Sequence, residues 1–357
     1  MAPRTAPGAK HRVNGRKGDG LLPLAVIIIG AGKGTRMKSA RAKVLHPLAG
    51  RPLIGHVLEL AGQLTPQHLI TVVGHQADAV RLTCEPYGAR CVVQDPQLGT
   101  GHAVAQAEPL LPDFVGDVLV LYGDVPLLRL ATVRALLATH RQQQATVTVL
   151  TACLDNPAGY GRIVRNAAGT LVRIVEERDA TDTERALHEI NSGIYCFTAP
   201  FLFTALRQVD RTNAQGEQYL TDVVAVAVAE QRRVAHLTTD APEEILGVNT
   251  RVDLAQLEAI LRRQICQAFM LAGVTIVDPA TTVIDRQVQI GQDTVIAPQT
   301  HILGQSIIGK DCWLGPQVVV SDSTLGDGVR VAPFCVLQAC TIPAQHTIPP
   351  FSYRTSS

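Results

Sequence analysis

A six-residue repeat near the end of the chain is the feature that most restricts how this sequence can fold. Apolar residues stand six positions apart at Ile284, Ile290, Ile296, Ile302, Ile308, Leu314 and Val320. The phase then slips by one residue, giving Leu325, Val331, Leu337 and Ile342. Glycine or alanine follows many of these apolar residues, at 291, 297, 309, 315, 326 and 332. Such hexads indicate a short left-handed parallel β-helix with about three hexads in each coil.

The chain before the repeat has a different pattern, in which apolar runs alternate with amphipathic stretches from Leu24 onward. This alternation predicts an α/β domain with a Rossmann-like, mostly parallel sheet covered by helices. The predicted strands are Leu24–Ile29, His68–Val73, Arg90–Val93, Asp117–Tyr122 and Ala145–Leu150, followed by shorter strands near 161–165, 170–176, 189–197 and 234–238. The predicted helices are Pro52–Leu64, Leu98–Glu108, Leu130–Gln142 and Glu217–Glu230.

A long helix is predicted between the two patterns, over 251–271. Thr250 provides an N-cap three residues before Asp253, and Gly273 provides a stop. The predicted regions are a disordered basic tail over 1–21, the α/β domain over 22–250, a connecting helix over 251–277, the β-helix over 278–342 and a C-terminal tail over 343–357.

Charge and cysteine content exclude several classes of protein. The 357 residues carry a formal net charge of +1, so neither nucleic acid nor an anionic membrane is an expected partner. The longest apolar run, over 21–29, is too short to span a bilayer. Eight cysteines without a CxxC pair argue against a disulfide framework or a zinc site and favour a reducing cytoplasm.

A glycine-rich loop, GAGKGTRM, follows the first predicted strand at residues 30–37. Backbone amides at the carboxyl end of a parallel strand can approach phosphate oxygens, so the loop indicates a phosphate cradle, with a simple tight turn as the alternative. It fits neither the dinucleotide-binding fingerprint, because Thr35 stands at the sixth position, nor a Walker A loop. Arg36 and Lys43 are two permanent cations that could reach a triphosphate, although either could also be a solvated surface residue.

The segment GAGKGTRMKSARAKVLH resembles the signature of sugar-nucleotide pyrophosphorylases, and specifically of the bacterial bifunctional N-acetylglucosamine-1-phosphate uridylyltransferase/glucosamine-1-phosphate acetyltransferase family. Further segments similar to that family follow in order, namely QDPQLGTGHA, LYGDVPL, GYGRI, IVEERDAT, EINSGIY, NAQGEQYLTD and GVNTR. Together they cover roughly 22–342. The sequence departs from the family at Gly30, where alanine is usual, at Ala42, where proline is usual, and at Thr250, where a second asparagine is usual.

The resemblance implies a nucleotide site at the loop. It makes Arg36 and Lys43 the catalytic clamps on the triphosphate. The residues implied to bind the nucleotide are Ile29, Gly30, Ala31, Gly32, Gln94, Gly99 and Thr100, of which the last three would recognise uracil.

The resemblance also implies a metal site and a sugar site. Asp124 and Asn249 would hold Mg²⁺ through hard oxygen ligands, with a turn aspartate and a helix-capping asparagine as the structural alternatives. Gly161, Glu176 and Asn191 would bind the N-acetylhexosamine, although Glu176 could also belong to a charged surface pair.

The implied reaction joins UTP to N-acetylglucosamine 1-phosphate, releasing pyrophosphate in a single displacement with inversion at phosphorus. Alternatives are a nucleotidyltransferase for another sugar 1-phosphate, an acyltransferase acting through the hexads, and a non-catalytic UDP-sugar-binding protein. We expect no acetyltransferase activity, because the sequence turns into AQHTIPPFSYRTSS after Pro343 without the acceptor-side motifs of the family's later coils. We also expect a homotrimer formed through the β-helix.

Overall fold

The computed structural model describes residues 22–355, so the predicted basic tail over 1–21 lies outside the described residues. The first part of the chain forms a nine-stranded sheet. In chain order its strands are β1 Leu24–Ile29, β2 His68–Val73, β3 Arg90–Val93, β4 Asp117–Tyr122, β5 Val147–Cys153, β6 Arg162–Arg165, β7 Leu171–Val175, β8 Glu189–Thr198 and β9 Val234–Thr239. The spatial order is β9-β5-β8-β4-β1-β2-β3, and β6 joins β8 to β7.

The sheet is mostly parallel, as the sequence predicts. β4, β1, β2 and β3 run parallel to one another, and β8 is antiparallel to both of its neighbours. Alternate residues of β1 enter two separate apolar cores, with Ala25 and Ile27 on one face and Val26 and Ile28 on the other. Because both faces are buried, the strand sequence is apolar throughout instead of alternating.

Helices cover both faces of this sheet. They are α1 Leu53–Gly62, α2 Ala77–Cys84, α3 Thr100–Ala105, α4 Leu130–Gln142, α5 Asp182–Arg185, α6 Ala199–Leu206 and α7 Asp222–Ala229, with short 3₁₀ turns at Thr35–Met37, Lys43–Leu45, Glu85–Tyr87, Glu108–Leu110 and Pro242–Ile245. The helix predicted from 217 begins only at Asp222. The reason is that Gln218 pairs through its backbone with Leu98 and Gly101, which keeps this segment extended.

Helix α8, Arg251–Leu271, follows the sheet. Thr250 and Asp253 form the predicted capping box, and Gly273 adopts a left-handed φ of 96° after the helix. Leu257 and Leu261 pack with Leu48 and Leu53, which lie in or next to a hairpin formed by strands Pro47–Leu48 and Arg51–Pro52. The same small core contains Met37, next to Arg36, and Val248, next to Asn249.

The hexad region forms three stacks of short parallel strands, as a left-handed β-helix requires. Ile284 pairs with Ile302, 18 residues further on, and Val320 pairs with Leu337 after 17 residues. The first stack contains Thr275–Ile276, Val295–Ile296, Trp313–Leu314, Arg330–Val331 and Thr347–Ile348. The second contains Val283–Ile284, His301–Leu303, Val319–Ser321, Val336–Gln338 and Tyr353–Thr355. The third contains Gln289–Ile290, Ile307–Ile308, Thr324–Leu325 and Thr341–Ile342.

The strand stacks extend beyond the predicted limits of 278 and 342. Ile276 and Ile348 occupy buried inward positions, so the coils begin earlier and end later than the hexad count indicates. The proline-rich sequence after 342 is therefore not a tail over 347–355. Throughout residues 22–355, no helix is long and apolar enough to cross a membrane.

Candidate active site

The carboxyl ends of four neighbouring strands bring the candidate residues to one edge of the sheet. Ile29 at the end of β1 lies beside Val72 of β2 and Tyr122 of β4. Val73 of β2 lies beside Val93 of β3. The glycine loop, the turn after β2, the loop beginning at Gln94 and the loop containing Asp124 therefore start side by side. Ligands of open α/β sheets bind at this edge.

Hydrogen bonds from two other segments hold the glycine loop where it leaves β1. The Gly30 amide donates to the Val72 carbonyl at 2.8 Å, and the Ala31 carbonyl accepts from the Gln97 Nε2 at 2.6 Å. Gly32 is exposed, and a Cβ there would meet nothing within 4 Å. Gly34 has a φ of 60°, and a Cβ there would lie 2.7 Å from the Lys43 Cβ. The loop is thus open to a ligand at Gly32 and packed against Lys43 at Gly34.

Four of the predicted site residues meet around one point. The Lys43 ammonium donates a hydrogen bond to the Asp124 Oδ2 in a close ion pair, and it lies 3.3 Å from the Asn249 Oδ1. The Arg36 guanidinium donates to the same Asn249 oxygen at 2.9 Å. The side chains of Lys43 and Asp124 are each 15% exposed, so this pair is screened less than a surface pair.

The backbone links the two predicted metal ligands. The Val248 amide donates to the Asp124 carbonyl at 2.9 Å, and the Asn249 amide donates to the Asp253 carboxylate at 2.9 Å. Asp253 is the acidic residue of the α8 capping box. The helix terminus therefore places the Asn249 side chain opposite Asp124, instead of using it as the cap.

These two oxygens fit Mg²⁺ by their chemistry. A carboxylate and an amide oxygen converge on the Lys43 ammonium, so the fold already directs both toward a single positive charge. Mg²⁺ prefers hard oxygen ligands and binds few protein groups, completing its shell with phosphates and water. No group of three or more His, Cys, Asp or Glu residues in the described part of the chain could form a metal cage.

The predicted sugar residues line a cavity of about 250 Å³ beside this cluster. Gly161, Glu176 and Asn191 share the cavity wall with Asp124 and Asn249. The Asn191 amide donates to the Gly161 carbonyl at 2.8 Å, which joins β8 to the segment before β6. Burial raises the pKa of Glu176, although the hydrogen bond from the Thr221 hydroxyl opposes this shift.

The predicted uracil residues lie in the loop after β3 and at the start of α3. Gln94 is only 5% exposed and donates from Nε2 to the Gly99 carbonyl at 2.8 Å and to the His102 Nδ1 at 3.1 Å. Thr100 accepts from the Leu220 amide at 3.0 Å and reaches the sugar cavity. Part of the Gln94 amide is thus used to fix the loop itself.

Several cavity residues were not singled out by sequence reasoning. They are Tyr122, Tyr160, Gln215, Glu217, Tyr219 and Thr221. Four of them lie in the segment NAQGEQYLTD, which the sequence marks as part of a motif without giving a role to any of its side chains. Gln97, which holds Ala31, was also missed. These residues reach the site through contacts between distant segments, which the spacing of residues in the sequence does not reveal.

Gly99 leaves no room for a side chain beside the backbone of Gln218. Its φ of 110° is unfavourable for other residues, and an added Cβ would lie 2.5 Å from the Gln218 carbonyl oxygen. We expect Gly99→Ala to lower the free energy of unfolding by about 2–3 kcal/mol, measured by urea unfolding. Gly88→Ala is the matched control, because Gly88 also has a positive φ but has nothing within 4 Å of an added Cβ. Equal losses in the two variants would contradict the proposed close contact.

Asp222 is a half-buried carboxylate at the start of α7. Burial, with a smaller effect from the carboxylates of Asp210 and Asp179, raises its pKa to about 6. The folded state therefore binds this proton more tightly than the unfolded state. Its stabilising contribution is complete below about pH 4 and is lost as the pH rises through about 6.

We expect Asp222→Asn to raise the free energy of unfolding at pH 8 by about 1 kcal/mol relative to the original chain, after allowance for solvent screening. This advantage should disappear near pH 4, where the original carboxyl is protonated. Urea unfolding at both pH values measures the difference, with Asp113→Asn at an exposed position as the control. The same gain at both pH values would show that ionisation is not its cause.

Comparisons with known proteins agree with the two-part architecture. Residues 26–190 match the MobA-like NTP transferase domain, and residues 305–339 match the bacterial transferase hexapeptide (six repeats). The chain is 48% identical over 331 residues to the bifunctional protein GlmU of Pelobacter propionicus, covering 92% of this chain and 72% of that protein. It is 45% identical over 327 residues to the bifunctional protein GlmU of Brevibacillus brevis, covering 92% of this chain and 70% of that protein.

Proposed function

Because this chain belongs to the GlmU family of bifunctional proteins, we propose that it is a nucleotidyltransferase that makes UDP-N-acetylglucosamine and pyrophosphate from UTP and N-acetylglucosamine 1-phosphate. One observation carries the proposal. Lys43, Arg36, Asp124 and Asn249 converge beside the cavity that holds Glu176. The site therefore places cations and metal-type oxygens next to a pocket of polar groups suited to a sugar.

The chemistry is a direct displacement. An oxygen of the sugar phosphate forms a bond to the α-phosphorus of UTP, the bond from that phosphorus to the bridging oxygen breaks, and pyrophosphate leaves with the electron pair. Lys43 and Arg36 stabilise the negative charge that builds up at the triphosphate. No protein nucleophile is needed, since the sugar phosphate is already one, and a single displacement inverts the configuration at phosphorus.

Asp124 and Asn249 would hold Mg²⁺ in this scheme. When bound, the ion would neutralise charge on the phosphate oxygens and leaving group. The residues around it orient the substrates. The exposed amides near Gly32 would take the phosphates, with Ile29, Gly30 and Ala31 forming the rest of the cradle.

The sugar and the base would contact two groups of residues that meet at Thr100. Glu176 and Asn191 would accept or donate hydrogen bonds to the sugar, and Gly161 would allow its close approach. Gln94, Gly99 and Thr100 would recognise uracil, an assignment supported by the hydrogen bond that holds the Gln94 side chain against the Gly99 carbonyl.

Pyrophosphate release by the purified chain with Mg²⁺ tests this function. UTP is offered with N-acetylglucosamine 1-phosphate, glucose 1-phosphate or glucosamine 1-phosphate, and dTTP replaces UTP in a parallel series. Selective turnover of UTP with the N-acetylated sugar is expected. Preference for glucose 1-phosphate, or for dTTP, would instead assign the chain to another sugar or nucleotide specificity. The absence of acetyl transfer stays a prediction, which acetyl-coenzyme A and glucosamine 1-phosphate test in the same preparation.

We also propose that the β-helix forms a homotrimer and that the protein works in the cytoplasm. Exposed apolar side chains on the coils support assembly, including Trp313 and the stacked rings of Phe334 and Phe351, whose centroids are 5.0 Å apart. All eight cysteines are free, which suits a reducing compartment. A monomeric mass by light scattering at micromolar concentration would contradict the trimer.

A further inference from the structure

A side chain from a different loop holds the backbone immediately before Lys43. Gln76 donates from Nε2 to the Ala40 carbonyl at 2.6 Å, and its Oε1 accepts from the Ala42 amide at 2.7 Å. One amide group therefore bridges two residues of the turn that leads into Lys43, and Lys43 begins a 3₁₀ turn directly afterwards.

The local conformation of Gln76 is unusual for its residue type. Its φ is 53°, in the left-handed region, at the N-cap of α2. Its neighbour His75 donates its amide to the Ala31 carbonyl at 3.2 Å. A left-handed residue other than glycine costs about 1 kcal/mol or more. Gln76 adopts this unfavourable conformation in a turn that contacts two segments. Its neighbour His75 binds the glycine loop, and Gln76 itself binds the residues before Lys43.

Ala42 stands directly before Lys43, and its backbone amide is the group that donates to the Gln76 side chain. Its φ of −54° is one that proline also adopts. Unlike proline, however, alanine has a backbone N–H group, and Ala42 is only 1% exposed. An unpaired buried amide costs about 1–3 kcal/mol, and the Gln76 oxygen is the partner that the structure gives it.

The position of this turn matters because Lys43 has to reach two oxygens at once. Its ammonium contacts the Asp124 carboxylate and lies 3.3 Å from the Asn249 Oδ1. Flexibility at Ala42 would spread the ammonium over several positions. A displacement of about 1 Å at a reacting group can lower the rate about 100-fold.

We propose that Gln76 is a positioning residue for Lys43, whose two hydrogen bonds replace the backbone rigidity that a proline at position 42 would supply. Gln76 touches neither Lys43 nor Asp124 through a hydrogen bond, so it acts through the backbone alone. This inference rests on the proposed function, since it assigns Gln76 a part in the same reaction.

The test is a cycle of Gln76→Ala, Ala42→Pro and the double variant, assayed by pyrophosphate release. Gln76→Ala is expected to lower kcat about 10-fold while the KM for N-acetylglucosamine 1-phosphate stays within about twofold. The double variant is expected to recover kcat to within about threefold of the original chain, because proline restores the fixed φ and removes the unpaired amide. Gln63→Ala, at an exposed glutamine after α1, is the matched control and should change nothing.

Two further measurements keep the outcome decisive if proline does not fit at position 42. Gln76→Glu keeps an acceptor for Ala42 but turns a carboxylate oxygen toward the Ala40 carbonyl, so its kcat should fall as well. Hydrogen exchange of the peptide covering 40–45 should be faster in Gln76→Ala than in Gln63→Ala. Unchanged kcat and unchanged exchange in Gln76→Ala would overturn the proposal. If the original chain shows no turnover on these substrates but Gln76→Ala still exchanges faster, the proposed function is contradicted. The hydrogen-bonded support of the backbone by Gln76 is then still confirmed.

Discussion

Asp124→Asn is expected to lower kcat/KM for UDP-N-acetylglucosamine formation about 1000-fold, the largest effect of any conservative change in this site. The substitution keeps the size of the side chain but removes its charge. Two side-chain oxygens accept from the Lys43 ammonium, and of these the Asp124 carboxylate is charged whereas the Asn249 amide is neutral. Loss of the Asp124 charge therefore leaves Lys43 and Arg36 without a carboxylate partner in the site.

Mg²⁺ titration of pyrophosphate release separates a metal role from a purely structural one. We expect the Mg²⁺ concentration needed for half-maximal rate to rise about 10- to 100-fold in Asp124→Asn. Asp113→Asn, at an exposed position, is the control and should behave as the original chain does. If Asp124→Asn kept more than a third of the original rate at saturating Mg²⁺, the metal assignment would be wrong.

Lys43→Ala is expected to lower kcat by about 100- to 1000-fold, the second largest effect. The ammonium lies among oxygens that would face the triphosphate, and no other Lys or Arg in the described residues is seen to contact both Asp124 and Asn249. Lys43→Arg should restore little, because the planar guanidinium cannot occupy the position of a compact ammonium next to Gly34. Steady-state kinetics with both substrates measures the loss.

The change in Mg²⁺ affinity distinguishes Lys43→Ala from Asp124→Asn. Lys43 competes with a cation for the Asp124 carboxylate, so Lys43→Ala should bind Mg²⁺ as tightly as the original chain or more tightly. Lys310→Ala, at an exposed position on the β-helix, is the control. Weaker Mg²⁺ binding together with normal kcat would show that Lys43 supports the metal site and has no part in the displacement.

The sequence predicts the two-part architecture because both parts have strong periodic signals. The hexads place Ile284, Ile302 and Val320 in one stacked row, and the structure pairs them in that order. Limits of elements are less predictable. The β-helix continues to Tyr353–Thr355, and its inward position is still apolar at Ile348, after Pro343. Helix α7 starts late because Gln218 pairs with a distant loop.

The candidate site follows from the sequence to a smaller extent. The structure brings together Arg36, Lys43, Asp124 and Asn249, all of which the motifs single out. Gln76 and Thr221 could not be found in this way, because their importance lies in contacts with residues 34 and 45 positions away in the sequence. A motif identifies residues within one segment, whereas Gln76 and Thr221 each connect two segments.

The central claim is that this site joins UTP to N-acetylglucosamine 1-phosphate by direct displacement. Phosphorus NMR of the reaction mixture tests it most directly, with the original chain and Asp124→Asn side by side. We predict equal amounts of UDP-N-acetylglucosamine and pyrophosphate from the original chain and almost none from the variant. Unchanged UTP, or its hydrolysis to UDP or UMP without a sugar nucleotide, would contradict the claim.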